Sequence, residues 1–210
     1  MAKRLVISNK LFCHSRYKAG IFFLTFKMDE YIDLVDKNGN PTGKTELKSV
    51  IHKNGYYHNT AHIWFYTNDG KILLSQRSAK KNICPLLWDV SVAGHIDAGE
   101  SIKVGAIRET KEEIGLTISE KDLNKIGVFK CFQSYDCGIN DNEFHHTFIS
   151  ELKVSLSELI PQEDEVEALK LVTIEDYKSI LNNIGVNNHF VAFNKAYYEV
   201  VLKKIIETVS

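Results

Sequence analysis

The sequence predicts an α/β sandwich, with a central mixed sheet and helices packed against it. Three observations lead there. Strand-like apolar runs and helix-patterned segments follow one another in irregular order, which suits a mixed sheet better than a regular βα repeat. A helical stretch at 101–114 follows closely on the strand-like run 86–92, giving a strand–loop–helix unit. The 210 residues are 44% hydrophobic and 25% charged, the balance of one globular domain with a terminal extension. Nothing approaches the roughly 18 consecutive apolar residues of a membrane span.

Residues 1–28 differ from the rest. Lys3, Arg4, Lys10, Arg16, Lys18 and Lys27 all precede the first acid, Asp29, and the segment ends in GIFFLTF. A basic, acid-free leader suits a mitochondrial-type presequence, a disordered leader, or an upstream start ahead of Met28. We take 1–28 as a basic amino-terminal extension that adds nothing to the chemistry, and 29–210 as one globular domain with a carboxy-terminal helix. The expected compartment is cytoplasmic, with targeting by 1–28 the alternative. Without those six bases, 20 remain against 27 acids, so the body carries −7. That charge excludes nucleic acid as a bulk electrostatic partner but not a phosphorylated small molecule held through a metal. The four cysteines include no CxxC pair and read as reduced thiols.

Residues 30–35 read as a first strand. NGNPTG, 38–43, is a turn, and 45–52 a short connector with room for helix. AHIWFYT, 61–67, and KILLSQR, 71–77, flank NDG as a hairpin. Ser119 caps a short helix. Residues 126–135 and 143–152 pair as strands, and 167–172 forms the last strand. Thr173 caps a helix with Glu175 and Asp176 in its first turn. A final helix from about 188 to 208 carries Phe190, Phe193, Tyr197, Val201 and Ile205 at helical spacing, for packing in the core or in a homodimer.

The chemistry concentrates in GHIDAGESIKVGAIRETKEEIGL, 94–116. Glu109, Glu112 and Glu113 fall on one face of the helix, since i, i+3 and i+4 are neighbours. Ile107, Thr110 and Ile114 form a separate stripe for the core. Only Gly105 weakens the helix, at about 1 kcal/mol. Acids near a helix start are ordinary. Three on one face, with a glycine-flanked approach and a Gly115 stop, suit a hard divalent cation such as Mg²⁺, which takes oxygen ligands and bridges to phosphates.

This stretch resembles the signature of the Nudix hydrolases: Gly, five residues, Glu, seven residues, Arg-Glu-aliphatic-any-Glu-Glu-any-Gly-aliphatic. Only Thr110 departs, at an aliphatic position. The resemblance covers about 30–180. It implies a Nudix-type α/β/α sandwich with the signature helix on one face. It also implies hydrolysis of a diphosphate linked to another group, using Mg²⁺ or Mn²⁺. The implied metal ligands are Glu109, Glu112, Glu113 and the carbonyl of Ala93. Arg108 then orients a glutamate and is held in turn by Glu100. Glu143 is a candidate ligand or base. Arg77, Lys81 and His95 are candidate contacts to a small-molecule diphosphate; Lys80 is a further one.

YIDLVDKNGNPTGKT, HNTAHIWFY, QRSAKKNICPLLWDVSVAGH and NDNEFHHTF also look like the branch containing type I isopentenyl diphosphate isomerases. That likeness implies a second metal site at His52, His58, His95, Asp141 and Glu143. Two departures favour the hydrolase. Ala93 stands where the isomerases carry a catalytic cysteine, and proton transfer at carbon needs an acid/base on each face of the substrate. The glutamate cluster that the isomerases have largely lost is whole here. The histidines also have a plain reading as hydrogen-bonding groups at a sheet edge. Strand neighbours alternate, so at most one of His145 and His146 faces the site. A non-catalytic module binding a nucleotide or a protein is the remaining alternative; it has no need of an intact glutamate set.

Overall fold

The computed structural model describes residues 29–210, so the extension 1–28 lies outside the described residues. The strands are β1 (Tyr31–Val35), β2 (Pro41–Leu47), β3 (Tyr57–Tyr66), β4 (Lys71–Arg77), β5 (Trp88–Asp89), β6 (Val92–His95), β7 (Asn124–Ser134), β8 (Asn140–Glu151) and β9 (Val166–Thr173). The helices are α1 (Lys48–Asn54), α2 (Ile102–Ile114), α3 (Ile174–Asn182) and α4 (Lys195–Val209).

β3 is the axis of a mixed sheet. β8 runs parallel to it from Tyr57↔Asn142 to Tyr66↔Glu151. Short antiparallel partners meet it in succession: β1 at His58, β6 at Thr60–Ile63 and β4 at Tyr66. β7 pairs antiparallel with β8, β9 and β5 with β4, and β2 with β1.

Alternation along β3 divides the core. Ala61, Ile63 and Phe65 pack with Val92, Ala106 and Ile114 under α2. Trp64 and Tyr66 pack with Tyr177, Leu181, Tyr198, Val201 and Ile205 under α3 and α4. Helices thus cover both faces, the α/β/α sandwich expected. The stripe Tyr197, Val201 and Ile205 is buried within this chain.

α2 begins at Ser101, whose side chain accepts from Val104 N, and ends at Gly115. A Cβ on Gly105 would lie 2.7 Å from Ile96 Cδ1, so this glycine lets the helix close on the sheet. Thr110 is fully buried, and its hydroxyl donates to the Ala106 carbonyl at 2.7 Å, which satisfies a polar atom at an aliphatic position.

Three local expectations need correction. The turn is tighter than 38–43. Asp36 Oδ1 accepts from Asn38 N and Asn40 N, and Pro41 already starts β2. This polar, largely exposed strand pairs with β1, and nothing in its composition alternates. The connector 45–52 divides between the end of β2 and α1. The final helix begins at Lys195 rather than near 188. Phe190 stands outside it at φ 58° and reaches the core from the loop.

Candidate active site

A cavity of about 290 Å³ opens at the end of the sheet where β6 and β8 meet β3. Two clusters border it, on opposite faces of β6.

On the α2 face, Arg108 is the hub. Its Nε and Nη2 donate to Glu100 at 3.1 and 3.0 Å, and Nη2 also donates to the His95 carbonyl at 2.9 Å. Its Nη1 donates to Glu109 Oε1 at 2.9 Å and to Glu112 Oε2 at 3.1 Å. A fork-shaped guanidinium suits this task, because its donors lie fixed in one plane. Burial disfavours the charged guanidinium, but its hydrogen bonds to Glu100 and Glu109 prevail and hold it protonated.

Glu109 lies against Gly94. A Cβ there would sit 2.0 Å from Glu109 Cδ, so the signature glycine supplies the space for the carboxylate. Glu113 is 8% exposed, and its Oε2 accepts from Ala93 N at 3.3 Å. Burial pushes Glu109 up to about 6, despite Arg108. Burial and the charge of Glu109 push Glu113 to about 8. Glu109 and Glu113, desolvated, and the more exposed Glu112 are oxygen donors of the kind a hard divalent cation takes.

The opposite face carries the histidines. His58 on β3, Ala93 and His95 on β6, and Glu143 on β8 share this face through the register pairs His58↔Glu143, Thr60↔His95 and His62↔Ala93. α1 brings His52. His58 Nδ1 bonds the Tyr56 carbonyl at 3.0 Å, and its buried Nε2 has no hydrogen-bond partner. That Nε2 lies 3.5 Å from Glu143 Oε1. His95 Nε2 lies 3.8 Å from the same oxygen and 3.3 Å from His52 Nε2, which is 3.6 Å from the equally orphaned Asp141 Oδ1. Donors about 2.1 Å from a common ion stand roughly 3.0–3.4 Å apart, so this shell is spaced for a cation rather than for hydrogen bonds alone. The ring held by its second nitrogen at His58 is the arrangement usual for a metal ligand.

Four of the five residues expected for a histidine-type site, His52, His58, His95 and Glu143, bring ligand atoms within 4.8 Å of one another, and Asp141 adjoins them through His52. His58 lies between β1 and β8 on the central strand, so its sheet-edge reading fails. His145 faces the cavity, and His146 turns away to Asn59 and Lys125. Burial raises a carboxyl, but the hydrogen bond to His145 and the nearby His58 imidazole hold Glu143 well below the usual range. Burial disfavours the His145 cation, yet contacts with Cys131 and Glu143 raise it to about 9.

Arg77 and Lys81 line the cavity as expected. Arg77 Nε donates to the Ile83 carbonyl at 3.0 Å, and Lys81 is ion-paired with Glu165. Lys80 points away, to Asp164 at 2.5 Å. Trp88 packs with Lys170 and His189 and is no platform in the site. Sequence reasoning missed Asp89, whose carboxyl burial pushes up. Of the cysteines that could have replaced the isomerase cysteine, Cys84 and Cys131 line the cavity, and spacing alone did not single out Cys131. Cys131 stands opposite Glu143 across the β7–β8 ladder, so pairing those two strands residue by residue in the sequence would have found it.

The NUDIX domain family model matches residues 56–192, more than half of the chain. An uncharacterized Nudix hydrolase of Clostridium acetobutylicum is 35% identical over 74% of this chain and 75% of its own length. An isopentenyl-diphosphate Delta-isomerase 2 of Photorhabdus laumondii is 33% identical over 74% of this chain and 84% of its own. A Deinococcus radiodurans crystal structure superposes with a TM-score of 0.59 at 19% identity, over 76% of this chain and 91% of that one. The chain belongs to the Nudix family. Within that family it is an enzyme of the Nudix hydrolase type, with relatives among the isomerases built on the same fold.

Proposed function

We propose that the protein is a divalent-metal-dependent hydrolase of a small-molecule diphosphate linked to another group. The observation that carries this reading is the Arg108 hub, which holds Glu109 and Glu112 beside a glycine-made gap while Glu113 closes the set. Binding alone needs no such assembly, which weighs against a non-catalytic module.

Glu109, Glu112 and Glu113, with the backbone at Ala93, would hold Mg²⁺ or Mn²⁺. The chemistry such an ion supplies is polarisation of a phosphoryl oxygen and acidification of water. The chain's own contribution is position and charge. Arg108 fixes two carboxylates without itself reaching substrate. Arg77 lines the cavity, and its guanidinium is the chemistry that suits a phosphate oxygen. Glu143, kept anionic by His145 and His58, adds a carboxylate at the far side of β6.

One observation favours a second reading. The His52, His58, His95, Asp141 and Glu143 shell is the set expected of the isomerase branch, and relatives bear that name. Against it stands Ala93, which offers no acid/base at the position where the isomerases carry their cysteine. Cys131 lies across the ladder from Glu143 rather than at that position.

A panel of nucleotide, coenzyme A and prenyl diphosphates with Mg²⁺ or Mn²⁺, scored for released phosphate species, tests the choice. The expected outcome is cation-dependent cleavage that falls at least about 100-fold in Glu113→Gln with circular dichroism unchanged. Conversion of isopentenyl diphosphate to its allylic isomer by the wild type, lost in Glu143→Gln, would reverse the assignment.

A further inference from the structure

A second group of side chains meets Glu143 from its other oxygen. Oε1 faces His58 and His95, whereas Oε2 lies 2.8 Å from His145 Nε2. His62, on β3, stacks on His145 with ring centroids 3.9 Å apart. Its Nδ1 bonds the Tyr197 hydroxyl at 2.9 Å, and the same hydroxyl accepts from Trp64 Nε1 at 2.8 Å. This fixes the ring and leaves Nε2 for the cavity, which both histidines line. One ligand atom each from His62, Glu143 and His145 lies within 4.8 Å of the others. Donors about 2.1 Å from one ion stand roughly 3.0–3.4 Å apart. His145 Nε2 and Glu143 Oε2, 2.8 Å apart, are already near that spacing, and His62 is the ligand that has to move in.

We propose that Glu143 is a bridging carboxylate between two cation positions, the second held by His62 and His145. Two imidazoles and a carboxylate oxygen suit a borderline ion such as Zn²⁺ or Co²⁺ better than Mg²⁺. On binding, the ion displaces the proton shared by His145 and Glu143, and the imidazole binds through its freed lone pair. The first position is the His52, His58 and His95 shell. The second belongs to neither motif and holds whether the enzyme hydrolyses or isomerises.

The test is metal content of the full chain after dialysis against micromolar Zn²⁺ with millimolar Mg²⁺, which occupies the α2 glutamates. Glu113→Gln is the control for Zn²⁺ taken up there. Wild type and this control should each hold two Zn²⁺ per chain. His62→Ala and His58→Ala should each hold one. Mn²⁺-loaded wild type should give the paramagnetic resonance spectrum of an exchange-coupled pair, a readout that needs no variant. One Zn²⁺ in wild type, lost in His58→Ala and kept in His62→Ala, would overturn the bridge. So would an isolated-ion Mn²⁺ spectrum at full loading. Neither result bears on the hydrolase reading, which the Glu113→Gln turnover measures separately.

Discussion

The two faces of β6 carry clusters of different construction. On one side, three of the four glutamates and the arginine that binds two of these three come from a single helix, within six residues of sequence. On the other, α1, β3, β6 and β8 each give one or two groups, drawn from residues 52 to 143. The first cluster depends on helix geometry and a gap at Gly94. The second depends on strand register, where a slip of one residue would turn Glu143 out of the cavity and bring Phe144 in. His95 joins them, giving its carbonyl to Arg108 on one side and its imidazole to the histidine shell on the other.

The comparison breaks most readily at Gly94. In Gly94→Ala, the methyl group takes the space of the Glu109 carboxylate. We expect Mg²⁺ affinity to fall about 10–100-fold, with Zn²⁺ uptake by the histidine face unchanged. Calorimetric titration with each ion checks this, and equal losses at both would show that the faces are not independent.

A smaller effect is expected from pH. Glu113 is raised to about 8 and His145 to about 9. Each group's contribution to stability is present in full below its unfolded value, about 4.5 and 6.5, and is lost as pH rises through the folded one. His52, lowered to about 4, has finished its own change well below this window. The Tm of metal-free protein should therefore drop by about 5 °C or more between pH 7 and pH 9. Saturating Mg²⁺ should remove the Glu113 share of that drop, since the ion binds the deprotonated form. Scanning calorimetry with and without Mg²⁺ separates the two faces; a flat Tm would sink the assignment of buried acids.

The smallest effect is expected from the extension. A chain beginning at Met28 should unfold at the same temperature and keep the same turnover, since both clusters lie beyond it. Lost cooperativity would assign GIFFLTF to the core.

The sequence by itself determined whatever is local. The i, i+3, i+4 spacing put Glu109, Glu112 and Glu113 on one face, Ser101 and Gly115 bounded the helix, and Thr173 capped the next. KILLSQR appears as a strand with the limits expected. The resemblance added His52, His58, Asp141 and Glu143 as a group, though spacing alone gave no reason for them to meet. Tertiary structure decided that meeting, because the parallel pairing of β3 with β8 spans some 85 residues of intervening chain. It likewise decided which of His145 and His146 faces inward, and that Cys131 stands across from Glu143. It hid β2, whose polar residues follow no alternation, and moved Phe190 out of its helix into a strained turn. The physical reason is one of range. Helix spacing and caps act over a few residues, whereas register is set by burial of one face of the sheet against α2 and the other against α3 and α4.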